Sequence, residues 1–377
     1  MRVLGAVVVA LFAMTLAFVW VLRHPVYTPD GIVYARFAAR DAGYSERDAT
    51  LAARAFYDRT QMMSNPRYRA LIELDPSVSF ARSKVFANRL LYPWVVGMAL
   101  GAAGFRALFL VNAGAYVAFG LALFWMLCAF KRPALALALT LVALALPQIR
   151  AAAASDLTDM LAMVWWALAL GALLRLSRRT RNTDAVVLAI SGALLALTRP
   201  TPYLVVLPAL VIGVARSSWV PLAASLGSVA AFGAGAIATH AYGISEQLHW
   251  VYDHRPNAAS GISFSQWYRD ALVSSIRFVA VQTVRTVVPL VMIAAAIYGL
   301  RRSATRIEMA VLAAAGIACL AAVPFNPVPS SFARVLLLPL VPVFCAITQC
   351  VVEALLVKPA PAAFERAEGA RSAVAAD

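Results

Sequence analysis

Apolar runs separated by short polar interruptions dominate the chain. With approximate edges they cover residues 3–22, 90–104, 105–130, 133–149, 159–174, 185–198, 201–215, 219–240, 271–300, 307–323 and 334–357. Runs of this length and composition predict membrane-spanning helices. The polar stretches between them fall into two kinds. Most are short and basic. Two are long: 23–89 and 241–270. In the first, Pro29-Asp30 precedes a helical stretch, Ile32 to Ala42, with Gly43 as its terminator. Ser45-Glu46-Arg47-Asp48 has capping-box spacing, after which Leu51, Ala52, Ala55 and Phe56 share one helical face. Asn65-Pro66 and Asp75-Pro76 place Pro at first helical positions. This loop therefore reads as short amphipathic helices lying on a membrane surface. There is no strand pattern and no fixed-period repeat. The fold class expected is all-α and polytopic.

Composition supports the same class. Of 377 residues 62% are hydrophobic and 14% charged, whereas soluble domains are about 45–50% apolar and about 25% charged. The net charge of +15 would point to nucleic acid in a soluble protein. Here many of the cations flank apolar runs, which is the pattern of cytoplasmic loops, so nucleic acid is not an expected partner and membrane lipid is. Cys128, Cys319, Cys345 and Cys350 all lie in apolar runs without a CxxC or Cys/His cluster, so neither a disulfide framework nor a zinc site is indicated. Arg2 precedes an apolar run, Val3 to Leu22, longer than the ~7–15 residues of a signal core and followed by no A-x-A site. It reads as an uncleaved first span.

The cations also set the topology. Arg2, Lys131/Arg132, Arg175/Arg178/Arg179/Arg181, Arg216, Arg301/Arg302/Arg306 and Lys358 all fall on one side only if 105–130 is the second span and 90–104 does not cross. That makes 90–104 an interfacial helix, with Tyr92 and Trp94 suited to the headgroup level, and gives about ten spans with both termini cytoplasmic. Residues 1–357 then form a single transmembrane domain and 358–377 a cytoplasmic tail. Ala/Arg-rich usage suggests a high-GC bacterium, hence an inner-membrane protein with its active face in the periplasm.

Candidate chemistry sits on that outer face. Asp30 follows the first span closely, and Tyr34 shares its helical face; as an alternative, Asp30 simply caps a helix starting at Gly31. Asp156 and Asp159 flank the start of the fourth span, and either can be a helix cap. Carboxylates from separate loops just outside a membrane can act as a general base and as a holder of acceptor or metal. Arg89, Arg199 and Arg334 lie where positive charge is disfavoured, which suits a lipid-linked phosphate; a snorkelling side chain is the plainer reading of each. In the loop 241–270, His254 and its aromatic neighbours form either a wall over a sugar or an ordinary interface belt. No nucleotide-loop or hydrolase signature occurs.

Asp30-x-x-x-Tyr34, the long helical first loop, the Leu91-Tyr92-Pro93-Trp94 run, Asp159 opening its span, the Thr198-Arg199-Pro200 turn and Arg334 with Pro339 and Pro342 together resemble the GT-C integral-membrane glycosyltransferases. These include the protein O-mannosyltransferases and the lipid A aminoarabinose transferases. The resemblance is one of layout and covers most of the chain up to about residue 215. It implies that Asp30 deprotonates an acceptor hydroxyl, that Asp159 or else Asp156 supports the acceptor or a divalent cation, and that Arg199 and Arg334 face the phosphate of a polyprenyl-phosphate sugar donor. The acceptor would be an envelope glycan, lipid or protein, with inversion at the anomeric centre. The chain departs from the family in lacking a large soluble C-terminal domain, in having Arg199 where relatives often have Lys, and in having Gly31 after Asp30 instead of a paired acid, which leaves metal dependence open. The alternatives are a transporter or flippase of a lipid-linked sugar, a non-catalytic envelope protein, and a surface-polysaccharide polymerase or ligase.

Overall fold

The computed structural model describes residues 1–60, 86–241, 269, 273, 306–321 and 338–356. The expected span 271–300, the tail 358–377, most of the loop 241–270 with His254, the later helices of the first loop, and Arg334 fall outside them. Among the described residues every regular element is helical; the one sheet-like feature is an isolated parallel bridge between Val26 and Ser155.

The helices are α1 (Arg2–Leu16, continued by a π turn, Ala17–Val21), α2 (Pro29–Asp41), α3 (Glu46–Tyr57), α4 (Leu91–Ala103), α5 (Ala107–Leu127), α6 (Pro133–Ala145), α7 (Pro147–Ala154), α8 (Asp159–Arg178), α9 (Asn182–Thr198), α10 (Tyr203–Arg216), α11 (Val220–Ala238), α12 (Arg306–Ala321) and α13 (Leu338–Leu356). Among the described residues five segments are long and apolar enough to cross a membrane: Arg2–Val21, Leu91–Leu127, Asp159–Arg178, Val220–Ala238 and Leu338–Leu355. A sixth is added if α6 and α7 count as one broken span. They meet at 59°, and the cause is local. Leu146 precedes Pro147, so it is pushed out of the helical region to φ −59°, ψ 130°.

Helix α8 is the hub. It is apolar all round, and 83% of its spanning window is buried, against 22% for the windows of α1 and α11. A helix hydrophobic on every side belongs inside a bundle or in lipid; α8 does the first, packing on α5, α9, α10, α12 and α13. Peripheral α1 turns Val3, Leu4, Val7, Leu11 and Phe18 outward, as a lipid-facing surface requires.

The two ends of the bundle differ. At one end the loop cations meet: Arg178 pairs with Glu308 at 3.0 Å and Glu353 at 3.6 Å. Arg216 donates to Ser177 O, Arg175 donates to Trp125 O, and Gln349 donates to Arg132 O at 2.9 Å. Asp156, Asp159 and Arg199 lie at the opposite end of α8.

That second end carries the α2–α3 hairpin. Thr28 caps α2 by accepting from Gly31 N, and Pro29 takes the first helical position. The helix closes in a Schellman motif: Tyr44 N donates to Ala39 O, Gly43 N donates to Arg40 O, and Gly43 takes φ +96°. Ser45 caps α3 through Asp48 N at 3.1 Å, as its spacing predicts. The face of α3 packed against the protein is a different one from the apolar face read from the sequence. Ala49, Ala53 and Tyr57 are buried, while Leu51 and Ala55 are exposed, because α2 and its neighbours approach from that side. Helix α2 lies on α4, where a Cβ at Gly97 would stand 2.8 Å from Ala38 O.

The Gly97 contact gives a sharp test. Gly97→Val is expected to cost about 1–3 kcal/mol by forcing α2 off α4, read as a lower unfolding midpoint of the purified protein. Gly101→Val, on open surface of the same helix, is expected to leave the midpoint unchanged.

Candidate functional site

The chain leaving α1 does not run free to α2. Val26 N donates to Ala154 O at 2.8 Å and Asp156 N donates to Val26 O at 3.3 Å, so residues 26–28 lie along the α7–α8 turn. The Asp156 carboxylate then reaches the cap of α2. It accepts from Thr28 N at 3.0 Å and from Thr28 Oγ1 at 2.7 Å, and its other oxygen accepts from the Tyr57 hydroxyl of α3. The Thr28 hydroxyl thus receives the Gly31 N–H while giving its own proton to Asp156. Gly31 is required by this contact, since a Cβ there would stand 2.0 Å from Asp156 Oδ2. Below the turn, Asn112 of α5 donates to Ser155 O and to Leu157 O, and the Tyr92 hydroxyl donates to Leu108 O. The Tyr27 ring closes the side against Phe109, Phe56 and Tyr57 at 5.1–5.9 Å.

Asp156 has no exposed surface. Burial pushes its carboxyl up to about 7, against the lowering effect of the Tyr57 and Thr28 donors. Burial, then the nearby Asp156 charge, pushes the Tyr57 hydroxyl well above its ordinary range.

The other expected residues divide into two groups. Asp30 lies in the first turn of α2 and is partly exposed. There its charge suits the helix N-terminus, but the cap is Thr28 and the helix starts at Pro29, not at Gly31. Among the described residues nothing hydrogen-bonds or ion-pairs with its carboxylate. Tyr34, one turn on, is fully buried and accepts from Arg89. The Arg89 guanidinium also stacks 4.6 Å from the Phe86 ring centre. Tyr92, expected at the headgroup level, is fully buried, held by Leu108 and Asn112.

The second group is Asp159 and Arg199, which form an ion pair between the start of α8 and the turn after α9, buried at the carboxylate and half-buried at the guanidinium. The pair lines a cavity together with Trp166, Thr201, Tyr203 and Cys319. Asp30 does not line it. Among the described residues no three His, Cys, Asp or Glu side chains are grouped as a metal site.

The expectation missed Thr28, Tyr57 and Asn112. Two carried a signal: Thr before Pro-Asp-Gly is a helix-cap pattern, and an amide within the apolar run of α5 needs a partner. Tyr57 carried none.

No protein-family model, no curated protein and no solved structure matches the chain.

Two measurements follow from the electrostatics. Side-chain exposure is 1% at Asp159 and 15% at Arg199, so Arg199→Ala removes the guanidinium paired with a buried carboxylate. It is expected to cost about 3–5 kcal/mol, most of it regained in Asp159→Asn/Arg199→Gln. For Asp156 the ordinary value is 3.8 and the folded value about 7. Between them the native state holds an extra proton, so this group makes stability fall as pH rises from about 4 to about 7. Asp156→Asn is expected to flatten that part of the profile of unfolding midpoint against pH.

Proposed function

We propose that the chain is an integral-membrane glycosyltransferase of the GT-C kind. It would move a sugar from a polyprenyl-phosphate donor to an envelope glycan, lipid or protein. The observation that carries this reading is Asp30: a carboxylate with no described partner, on an outer-layer helix whose first turn is tied down on two sides. A general base must be held in place and yet keep its lone pairs open to the acceptor. Asp30 takes the acceptor hydroxyl proton, the oxygen attacks the anomeric carbon, and the bond to the lipid phosphate breaks. The leaving phosphate is assigned to the outer arginines Arg89, Arg199 and Arg334, with Asp159 holding Arg199 in place. Tyr34 and His254 complete the substrate-binding set.

The finer topology belongs to the same proposal. Helix α4 has 13 residues, about 20 Å of helix against a hydrocarbon core of about 30 Å. It also packs on polar α2. We therefore place it at the interface, with α2 and α3 on the outer face of a bacterial inner membrane, about ten spans in all, and both termini cytoplasmic.

A second reading, transport of a lipid-linked sugar, is favoured by one observation: an ion pair with a buried carboxylate, lining a cavity at the end of the hub helix, since ionisable groups of this kind mark transport paths.

The test is mass-spectrometric profiling of envelope glycans and polyprenyl-phosphate sugars in native, deletion and Asp30→Asn strains with matched protein levels. Asp30→Asn is expected to mimic the deletion, with a sugar missing from one glycan, its donor accumulating, and transfer down by about 10²-fold or more. A deletion that changes the glycans where Asp30→Asn does not would favour transport.

A further inference from the structure

We infer that Asp156 is a positioning residue, not a catalytic one: it anchors the first turn of α2, and with it Asp30, to the α7–α8 turn. The inference rests on the reading of Asp30 as the base for what is positioned, but the anchor itself stands on geometry alone.

A carboxylate offers about four lone-pair sites. Those of Asp156 are engaged. Oδ1 accepts Thr28 N–H and the Thr28 hydroxyl, while Oδ2 accepts the Tyr57 hydroxyl and shares the Thr28 N–H at 3.2 Å. The group is inaccessible to solvent, and the Cα of Gly31 closes its remaining side. An acceptor hydroxyl or a metal ion can reach it only by displacing Thr28 or Tyr57, which would undo the start of α2. Asp30 shows the opposite combination, an open carboxylate two residues from the anchored threonine.

The parts around Asp156 are arranged for holding. Every donor to its carboxylate comes from the outer hairpin, Thr28 before α2 and Tyr57 at the end of α3. Its own backbone is fixed from below, because Asn112 grips the carbonyls on both sides, Ser155 and Leu157. The chain path from α5 through the turn to α2 is thus a continuous set of hydrogen bonds, running from buried Asn112 and Asp156 to half-buried Thr28 and ending one residue short of the α2 N-terminus. Facing the carboxylate from the neighbouring elements are the hydroxyls of Tyr27, Tyr57 and Tyr92, with Asp159 one turn along the chain.

A positioning role and a catalytic role separate on the amide variant. In Asp156→Asn the amide oxygen still accepts from Thr28 and the amide nitrogen donates to the Tyr57 oxygen, so most of the anchor remains. A base or metal ligand, by contrast, is lost as completely in Asn as in Ala. The experiment is hydrogen–deuterium exchange of the full chain in nanodiscs, followed on peptides covering Val26–Tyr34, with the glycan and donor profile of the same variants in cells. Asp156→Ala is expected to speed exchange there by about tenfold or more, the scale for losing hydrogen bonds to a charged group, and to lower transfer with it. Asp156→Asn is expected to stay within about threefold of wild type in both readouts. If Asp156→Ala fails to fold, Tyr57→Phe removes one donor and is expected to speed exchange in the same peptides by a smaller factor.

Unchanged exchange in Asp156→Ala, or in Tyr57→Phe should that stand in for it, would overturn the anchor. Native exchange with lost transfer in Asp156→Asn would overturn the role and make the carboxylate catalytic. The reading of Asp30 fails separately: glycans unaltered in Asp30→Asn, with exchange faster in Asp156→Ala, would sink the transferase and leave the anchor standing.

Discussion

A carboxylate without water contact holds together two stretches of chain 128 residues apart. Taking such a group out of water is costly, and here the cost is offset by donors on each oxygen. The side chain is short enough to leave the Thr28 cap geometry intact. From this bond the outer layer follows in order. Thr28 starts α2, Tyr57 sets α3 against it, and the Arg36–Glu46 pair at 3.4 Å ties the two helices once more. Helix α2 then lies on α4 at Gly97, where backbone meets backbone without an intervening side chain. Take Asp156 away, and the hairpin keeps its own caps and its packing on α4 but loses its tie to the α7–α8 turn.

Helix α8 joins this end to the other. Its first residue is Asp159 and its last turn holds Arg175 and Arg178, the arrangement a helix dipole favours. Each of these charges is also tethered to another element. Asp159 holds Arg199 beyond α9, Arg178 holds Glu308 of α12 and Glu353 of α13, and Arg175 covers Trp125 of α5 at 4.2 Å. Within the apolar middle of α8, Trp166 Nε1 donates to Pro339 O of α13 at 2.8 Å, so the register of the bundle is set by this bond together with the polar ties at the two ends. The same division explains where the chain admits chemistry. The arginine end is tied by ion pairs and by bonds to backbone carbonyls. The aspartate end holds a cavity and an open carboxylate.

Much of this was legible from residue order. The apolar runs locate most of the described helices to within a few residues, but the single run 133–149 proves to be two helices broken before Pro147, the second reaching Ala154. The helical first loop and its Ser45 and Gly43 punctuation are local chemistry, and local chemistry reads well. What did not read was partnership at long range. Asp156 and Asp159, three residues apart, look like two versions of one cap. Only the fold gives one a threonine from residue 28 and the other an arginine from residue 199. Tyr92 next to Trp94 looks like an interface pair, but neighbours on a helix point in different directions. Tyr92 turns into the bundle while Trp94 is 53% exposed. The packed face of α3, Ala49, Ala53 and Tyr57, carried no signal for a related reason: residue order does not say which side a protein neighbour will approach.

The three outer carboxylates therefore differ less in type than in what surrounds them, and environment is what separates roles among identical groups. Asp156 is saturated and enclosed, so its charge is spent on structure. Asp159 is matched to the Arg199 guanidinium beyond α9. Asp30 alone among them has no described partner, while the Thr28 hydroxyl and the first turn of α2 beside it are committed to the anchor. A base must be both fixed and unsatisfied. A single carboxylate seldom meets both demands near a membrane surface. On the proposed reading, two carboxylates on either side of one helix cap would meet them by dividing the work.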